Sequence, residues 1–213
     1  MIKINIIGDL YPGGEYEKLF INNEVSFDDL TLDFENADLN VSNLECPITN
    51  STQPITKRGK NIKASTKCIH GLLRTNIDVF NLSNNHIYDY GDEGLNNTTK
   101  ILKNNNLDFF GIGENENAAN QLYIKKIKNK RIAFYGIAEN EFSQATNKTA
   151  GANPLCIMNF IKMLNINKGK YDYLIIMLHG GLEYYQYPSP NMQKLCRFLI
   201  DCGSSAVICQ HTH

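Results

Sequence analysis

Short apolar runs alternate with amphipathic stretches from one end of this chain to the other. KINIIGD at 3–9 reads as a buried strand ending in a turn, and DLNVSNLE at 38–45 and IDVFNLS at 77–83 read as two more strands. SFDDLTLDFEN at 26–36 opens on a serine cap and predicts a helix, as does TKCIHGLLRTN at 66–76. QPITKRGKNIKAS at 53–65 is polar and predicts a loop. DEGLNNTTKILKNNN at 92–106 predicts a helix with Leu95, Ile101 and Leu102 on one side, followed by a short strand, LDFFGI, at 107–112. LYIKKIKNKRIAFYGI at 122–137 predicts a hairpin turning at 128–130. The remainder predicts helix at 153–167, strand at 171–179, helix at 189–203 and strand at 204–210. Strands alternating with helices imply an α/β fold built on a largely parallel sheet. No repeat or low-complexity linker interrupts the pattern, so 1–213 reads as a single domain.

Composition narrows the classes. With 42% hydrophobic and 20% charged residues, the chain has the make-up of a soluble globular protein. A formal net charge of −1 supplies no basic field for nucleic acid. The N-terminus enters a strand at once, without a signal-peptide pattern, and no apolar run reaches the roughly 18 residues of a membrane span. These features set the expectation of a cytoplasmic protein, with membrane association only through partners. The six cysteines form no CxxC pair, which argues against a thiolate zinc knuckle and for reduced, mostly buried thiols.

The reactive residues cluster in one kind of place. Asp9, Asn43 with Glu45, Asn84 with Asn85 and His86, His179, and His211 with His213 each follow a predicted strand. Open α/β sheets bind ligands outside the carboxyl ends of their strands. Four of the five histidines take part; His70, on a predicted helix, reads as a surface or half-buried residue. Each residue alone has a plain explanation, since aspartate and asparagine cap helices and shape turns. Five strand ends carrying metal-capable groups are harder to explain that way. Carboxylate, amide oxygen and imidazole make a mixed shell suited to Mn, Fe, Zn or Co more than to Ca. There are enough ligands for one or two divalent metal ions, and two ions can share a carboxylate and activate a water.

GDL at 8–10, SNLECPIT at 42–49, NLSNNHIYDYGDEGL at 81–95, GIGEN at 111–115, MLHGGLEYYQYPSP at 177–190 and IDCGSSAVICQHTH at 200–213 resemble, in order and spacing, the CapA-like family. That family is named for bacterial poly-γ-glutamate capsule synthesis and falls in the calcineurin-like metallophosphoesterase superfamily. The resemblance implies a two-sheet sandwich flanked by helices. It also implies that relatives continue past the H-x-H motif, so that the final C-terminal strands of the fold are missing here. On this resemblance Asp9, Glu45, Asn85, His179, His211 and His213 are metal ligands, with Glu45 preferred to Asn43 because a carboxylate bridges two cations better. On the same resemblance His86 is the catalytic residue, as general acid or as the histidine that contacts phosphate. Glu183 would orient His179, and Asn43, Asn84 and Tyr11 are further candidates for supporting ligands or meeting substrate.

The sequence departs from the wider superfamily where a histidine would follow the first aspartate (here Tyr11), and where Asn84-Asn85-His86-Ile87 replaces Gly-Asn-His-Glu. Tyr184, Tyr185 and Pro188 are candidates to line a substrate pocket, with packing as the plainer role. For Lys57, Arg58 and Lys60 a solvated loop is favoured over contact with an anionic substrate. The expected activity is metal-dependent hydrolysis, phosphoesterase-like, in capsule or extracellular polymer synthesis. The expected substrate is an anionic polymer or phosphoester, and partners would be membrane-associated assembly proteins. The rival reading is a non-catalytic accessory or binding component of envelope polymer synthesis or export.

Overall fold

The computed structural model describes residues 1–26, 34–139 and 141–213. Residues 27–33 of the helix expected at 26–36 lie outside them. The chain forms two compact units: Met1–Leu82 with His86–Phe109, and Ser83–Asn85 with Phe110–His213.

The first unit is built on a four-stranded sheet in the order β1-β2-β3-β4, from β1 (Ile4–Leu10), β2 (Leu39–Leu44), β3 (Val79–Asn81) and β4 (Asp108–Phe110). β2 is parallel to both β1 and β3. All six of its residues are buried, as expected for a central parallel strand covered on both faces. β1 carries a bulge: Ile6 pairs with Val41 and Asp9 with Asn43, three steps of one strand against two of the other. The helices of this unit are α1 (Glu17–Ile21), α2 (Ile69–Leu72) and α3 (Gly91–Asn104), with 3-10 turns at Gly14–Tyr16 and Thr66–Cys68. α3 buries Gly94, Leu95, Thr98 and Leu102, a stripe at helical spacing. Ile101, expected on the same side, is only half-buried. α1 was not expected from the sequence. It packs where Gly71 lets α2 approach, since a Cβ there would stand 2.6 Å from the Phe20 backbone. His70 is exposed, and 53–65 forms no helix or strand, both as expected.

The second unit holds a four-stranded sheet in the order β10-β9-β7-β6, from β6 (Tyr123–Ile127), β7 (Lys130–Ala138), β9 (Tyr173–His179) and β10 (Ala206–Gln210). β9 is parallel to β7 and β10, while β6 and β7 form the expected antiparallel hairpin. The hairpin turn is tighter than expected. Ile127 pairs with Lys130, and Lys128 takes a positive φ of 54°, so only two residues make the reversal. A small antiparallel pair joins β5 (Ile112–Gly113) to β8 (Gly151–Ala152), beside α4 (Glu116–Ala119).

α5 (Ile157–Ile166) and α6 (Pro190–Asp201) cover this sheet. Phe160 and Met163 from α5, with Met192 and Leu199 from α6, pack on Ala133, Tyr135, Ile137, Leu174, Ile176 and Leu178. Each large side chain so buried contributes about 1.5–3 kcal/mol. α6 starts where Ser189 accepts a hydrogen bond from Met192 N at 3.2 Å, with proline in the first turn. α5 begins four residues later than expected, because Asn153 is committed elsewhere: its amide donates to Gly136 O at 2.8 Å. The expectation of a two-sheet α/β architecture is met. Among the described residues, no helix is long and apolar enough to cross a membrane.

Candidate functional site

In the first unit, polar side chains form a row across three neighbouring strands. Asp9 pairs in register with Asn43, and Asn43 with Asn81. Asn43 Nδ2 donates to Asp9 Oδ1 at 2.6 Å, and Asn81 Nδ2 donates to Asn43 Oδ1 at 3.1 Å. Asn43 and Asn81 are fully buried. With one end of its amide committed to Asp9 and the other to Asn81, Asn43 fixes the carboxylate and is not itself offered as a ligand. Asp9 lies within β1, not past its end as the sequence suggested. The bulge before it brings it level with Asn43. Glu45 follows β2 directly, is buried, and is anchored by its backbone N–H to Leu10 O at 3.0 Å. Tyr11, next to this row, is half-buried, and its hydroxyl donates to Lys63 O at 3.5 Å. Burial, reinforced by nearby anionic groups, pushes that phenol up to about 12, so it remains a proton donor at neutral pH.

His86 follows β3 and carries a partner that sequence reasoning missed. Its Nδ1 lies 2.7 Å from Asp89 Oδ2. Asp89 is fully buried and also accepts from Ile62 N at 2.7 Å, while Lys57 closes an ion pair on its other oxygen. Lys57 Nζ stands 3.2 Å from His86 Nδ1. Nδ1 is thus committed to that carboxylate, which leaves Nε2 as the nitrogen open to proton exchange. The Lys57 side chain is only 3% exposed, which corrects the solvated reading of that residue; Arg58 and Lys60 are exposed as expected. The signal for Asp89 was present three residues after His86, in NNHIYDYG.

In the second unit, Asn85, His179 and His211 come together. Asn85 Oδ1 is 3.0 Å from His179 Nε2, and the His179 and His211 ring centroids are 4.7 Å apart. All three residues are buried. Ser143 Oγ donates to Asn85 O, which fixes the loop after β3. Asn84 is fully buried in the same loop. His179 is the last residue of β9, not the residue after it. His211 follows β10 at a φ of 100°, a region that costs a non-glycine residue about 1–3 kcal/mol. His213 is exposed.

Two glycines make room beside these histidines. A Cβ on Gly180 would stand 2.5 Å from Glu139 Cγ, and Gly181 takes a φ of 124° while donating to Glu139 Oε2 at 2.8 Å. Glu183 Oε1 lies 3.6 Å from His211 Nε2, with Glu141 at 3.9 Å. Glu183 thus stands against His211, where the sequence reading set it behind His179. The loop that follows, with α6 and Thr212, encloses a cavity of about 400 Å³ lined by Tyr185, Tyr187, Met192 and Arg197 among others. Tyr185 and Pro188 do line it, whereas Tyr184 is 86% exposed and does not.

Both units therefore carry groups able to hold a metal ion: carboxylates with an anchored amide in the first, imidazoles with an amide oxygen in the second. Residues 3–213 match the family described as "Bacterial capsule synthesis protein PGA_cap". The chain is 28% identical over 165 residues to "Capsule biosynthesis protein CapA" of Bacillus anthracis, covering 74% of this chain and 40% of that protein. It is 28% identical over 170 residues to "PGA biosynthesis protein CapA" of Bacillus subtilis (strain 168), covering 72% of this chain and 44% of that protein. The chain thus spans less than half the length of these relatives. Its fold is similar to the crystal structure of a hypothetical protein from Thermus thermophilus, with a TM-score of 0.55 and 14% identity, over 100% of this chain and 68% of that one. The chain belongs to the bacterial capsule synthesis protein family PGA_cap, within the calcineurin-like metallophosphoesterase superfamily.

Proposed function

We propose that this chain is a metal-dependent hydrolase of the phosphoesterase type, serving the synthesis of a capsule or similar extracellular polymer. One observation carries the reading most. Asn85 Oδ1 and His179 Nε2 lie 3.0 Å apart with the His211 ring alongside. The two atoms share a hydrogen bond here; once Nε2 gives up its proton, they are spaced as neighbours in one coordination shell. Asp9 and Glu45 in the first unit, and Asn85, His179, His211 and His213 in the second, are the proposed ligands. A divalent cation held by such groups would supply Lewis acidity and acidify a water near neutral pH.

The protein's own groups do the rest. The Asn43 amide holds the Asp9 carboxylate in one orientation. Asp89 accepts from His86 Nδ1, so that the imidazolium form would deliver its Nε2 proton to the leaving group. The Lys57 charge offsets that of Asp89 inside the fold. The substrate class is a phosphoester or an anionic polymer, with membrane-associated assembly proteins as partners.

The test is metal analysis of the purified protein followed by turnover of a panel of phosphoesters and γ-glutamyl compounds. The expected result is bound Mn, Fe, Zn or Co and measurable hydrolysis. His86→Ala should keep the metal and lose turnover. Fully loaded protein without activity on the whole panel would overturn the hydrolase reading and favour an accessory component of polymer synthesis or export.

A further inference from the structure

We propose that Cys196 and Cys209 form a reversible disulfide that fastens α6 to β10. All six cysteines are free thiols in this structure, but they are not equivalent. Cys46 and Cys68 are buried, whereas Cys196 is half-buried and Cys209 exposed, against the sequence expectation of mostly buried thiols. Cys196 Sγ and Cys209 Sγ already stand 3.5 Å apart. A disulfide bond is about 2.05 Å long. Closing that gap brings two partly accessible sulfurs about 1.5 Å nearer to each other.

Access favours the reaction, although burial and the hydrogen bond with Cys196 push the Cys209 thiol up to about 12. Both cysteines line the cavity of about 400 Å³, which gives a small oxidant access to the sulfurs. Among the described residues, β10 is the edge strand of its sheet and pairs with β9 alone. A covalent tie to α6 adds to the support that β9 gives this strand. Cys209 precedes His211 by two positions, so the tie would also fix the strand that presents this histidine. The inference does not depend on the hydrolase reading.

The oxidant is a low-molecular-weight disulfide such as oxidised glutathione. One protein thiolate attacks a sulfur of the oxidant, forming a mixed disulfide and releasing one small thiol. The second protein thiolate then attacks the protein sulfur of that mixed disulfide and releases the other small thiol. The protein gives up two protons and two electrons, and the oxidant leaves as two thiols. Excess reductant reverses both steps.

The experiment equilibrates the whole chain in buffers of increasing oxidised-to-reduced glutathione ratio. Accessible thiols are alkylated, and the peptides are read by mass spectrometry. The expected product is a cross-linked peptide joining Cys196 to Cys209, with the intact mass lower by two hydrogens. The oxidised protein should melt about 5 °C higher than the reduced one. Cys196→Ser and Cys209→Ser should each abolish both the cross-link and the shift. If both residues stay alkylated at the oxidising end, the proposal is overturned. A stable glutathione adduct on the wild-type chain, or a cross-link to another cysteine, overturns it equally.

Discussion

Asp89 Oδ2 lies 2.7 Å from His86 Nδ1, and Lys57 closes on the other oxygen of the same carboxylate. Nothing in a polar stretch such as residues 53–65 advertises a buried lysine. Yet Asp89 gathers that loop: Ile55 N donates to its carbonyl at 2.9 Å and Ile62 N to its carboxylate at 2.7 Å. The same side chain thus holds the His86 tautomer and the loop that supplies its counter-ion.

Replacing Asp89 by Asn keeps the volume but removes the charge that holds the proton on Nδ1. Turnover should fall by about 100-fold, the scale of a misdirected general acid, with metal content unchanged. Steady-state kinetics paired with metal analysis checks this. Equal loss of metal and activity would show that Asp89 serves folding and not His86.

Lys57→Met leaves the fully buried Asp89 carboxylate without its counter-ion. Removing one partner of a buried ion pair costs about 3–5 kcal/mol. Denaturant unfolding should show a loss of that order, whereas Lys60→Met, at an exposed position of the same loop, should change little.

Asn43→Leu removes the donor to Asp9 and the acceptor for Asn81 in one step. Buried Asn81 and half-buried Asp9 each lose one partner, at up to about 1–3 kcal/mol each. The Asp9 carboxylate also loses its orientation, and metal affinity should drop about 10–100-fold, as measured by chelator competition.

Metal loading should raise the melting temperature, because a ligand that binds only the folded chain stabilises it. At a free concentration 100 times Kd the gain is about 2.7 kcal/mol. A chelator should remove the gain, and His179→Ala should prevent it. Calorimetry with Mn and Zn distinguishes the two metals by the size of the shift.

Phe160→Ala tests the core away from the histidines. Phe160 is 1% exposed and packs against Tyr135 with ring centroids 5.8 Å apart. The cavity left behind should cost about 3–5 kcal/mol without changing metal content at low temperature.

The apolar periodicity of β7, β9 and α6 was legible because each element shows its own period over a short window. α1 and α4 escaped because they span only five and four residues, too short for a helical period to repeat. Asp9 shows the limit from another side. The sequence places it at the end of an apolar run, and only the bulge between Ile6 and Asp9 brings it level with Asn43. Register belongs to two strands at once and cannot be read from either alone.

The sequence by itself determined the α/β class, the order of most strands and helices, and the gathering of carboxylate, amide and imidazole residues near strand ends. These follow from local patterns of burial and from residue chemistry. Only the tertiary structure decided that Asn43 braces Asp9, that Lys57 is buried against Asp89, that Glu183 stands by His211, and that two thiols meet across α6 and β10. Each of these joins residues that are not neighbours along the chain, or depends on how the chain turns between them. Their energy comes from desolvation and pairing, which exist only once the fold has brought both partners to one place.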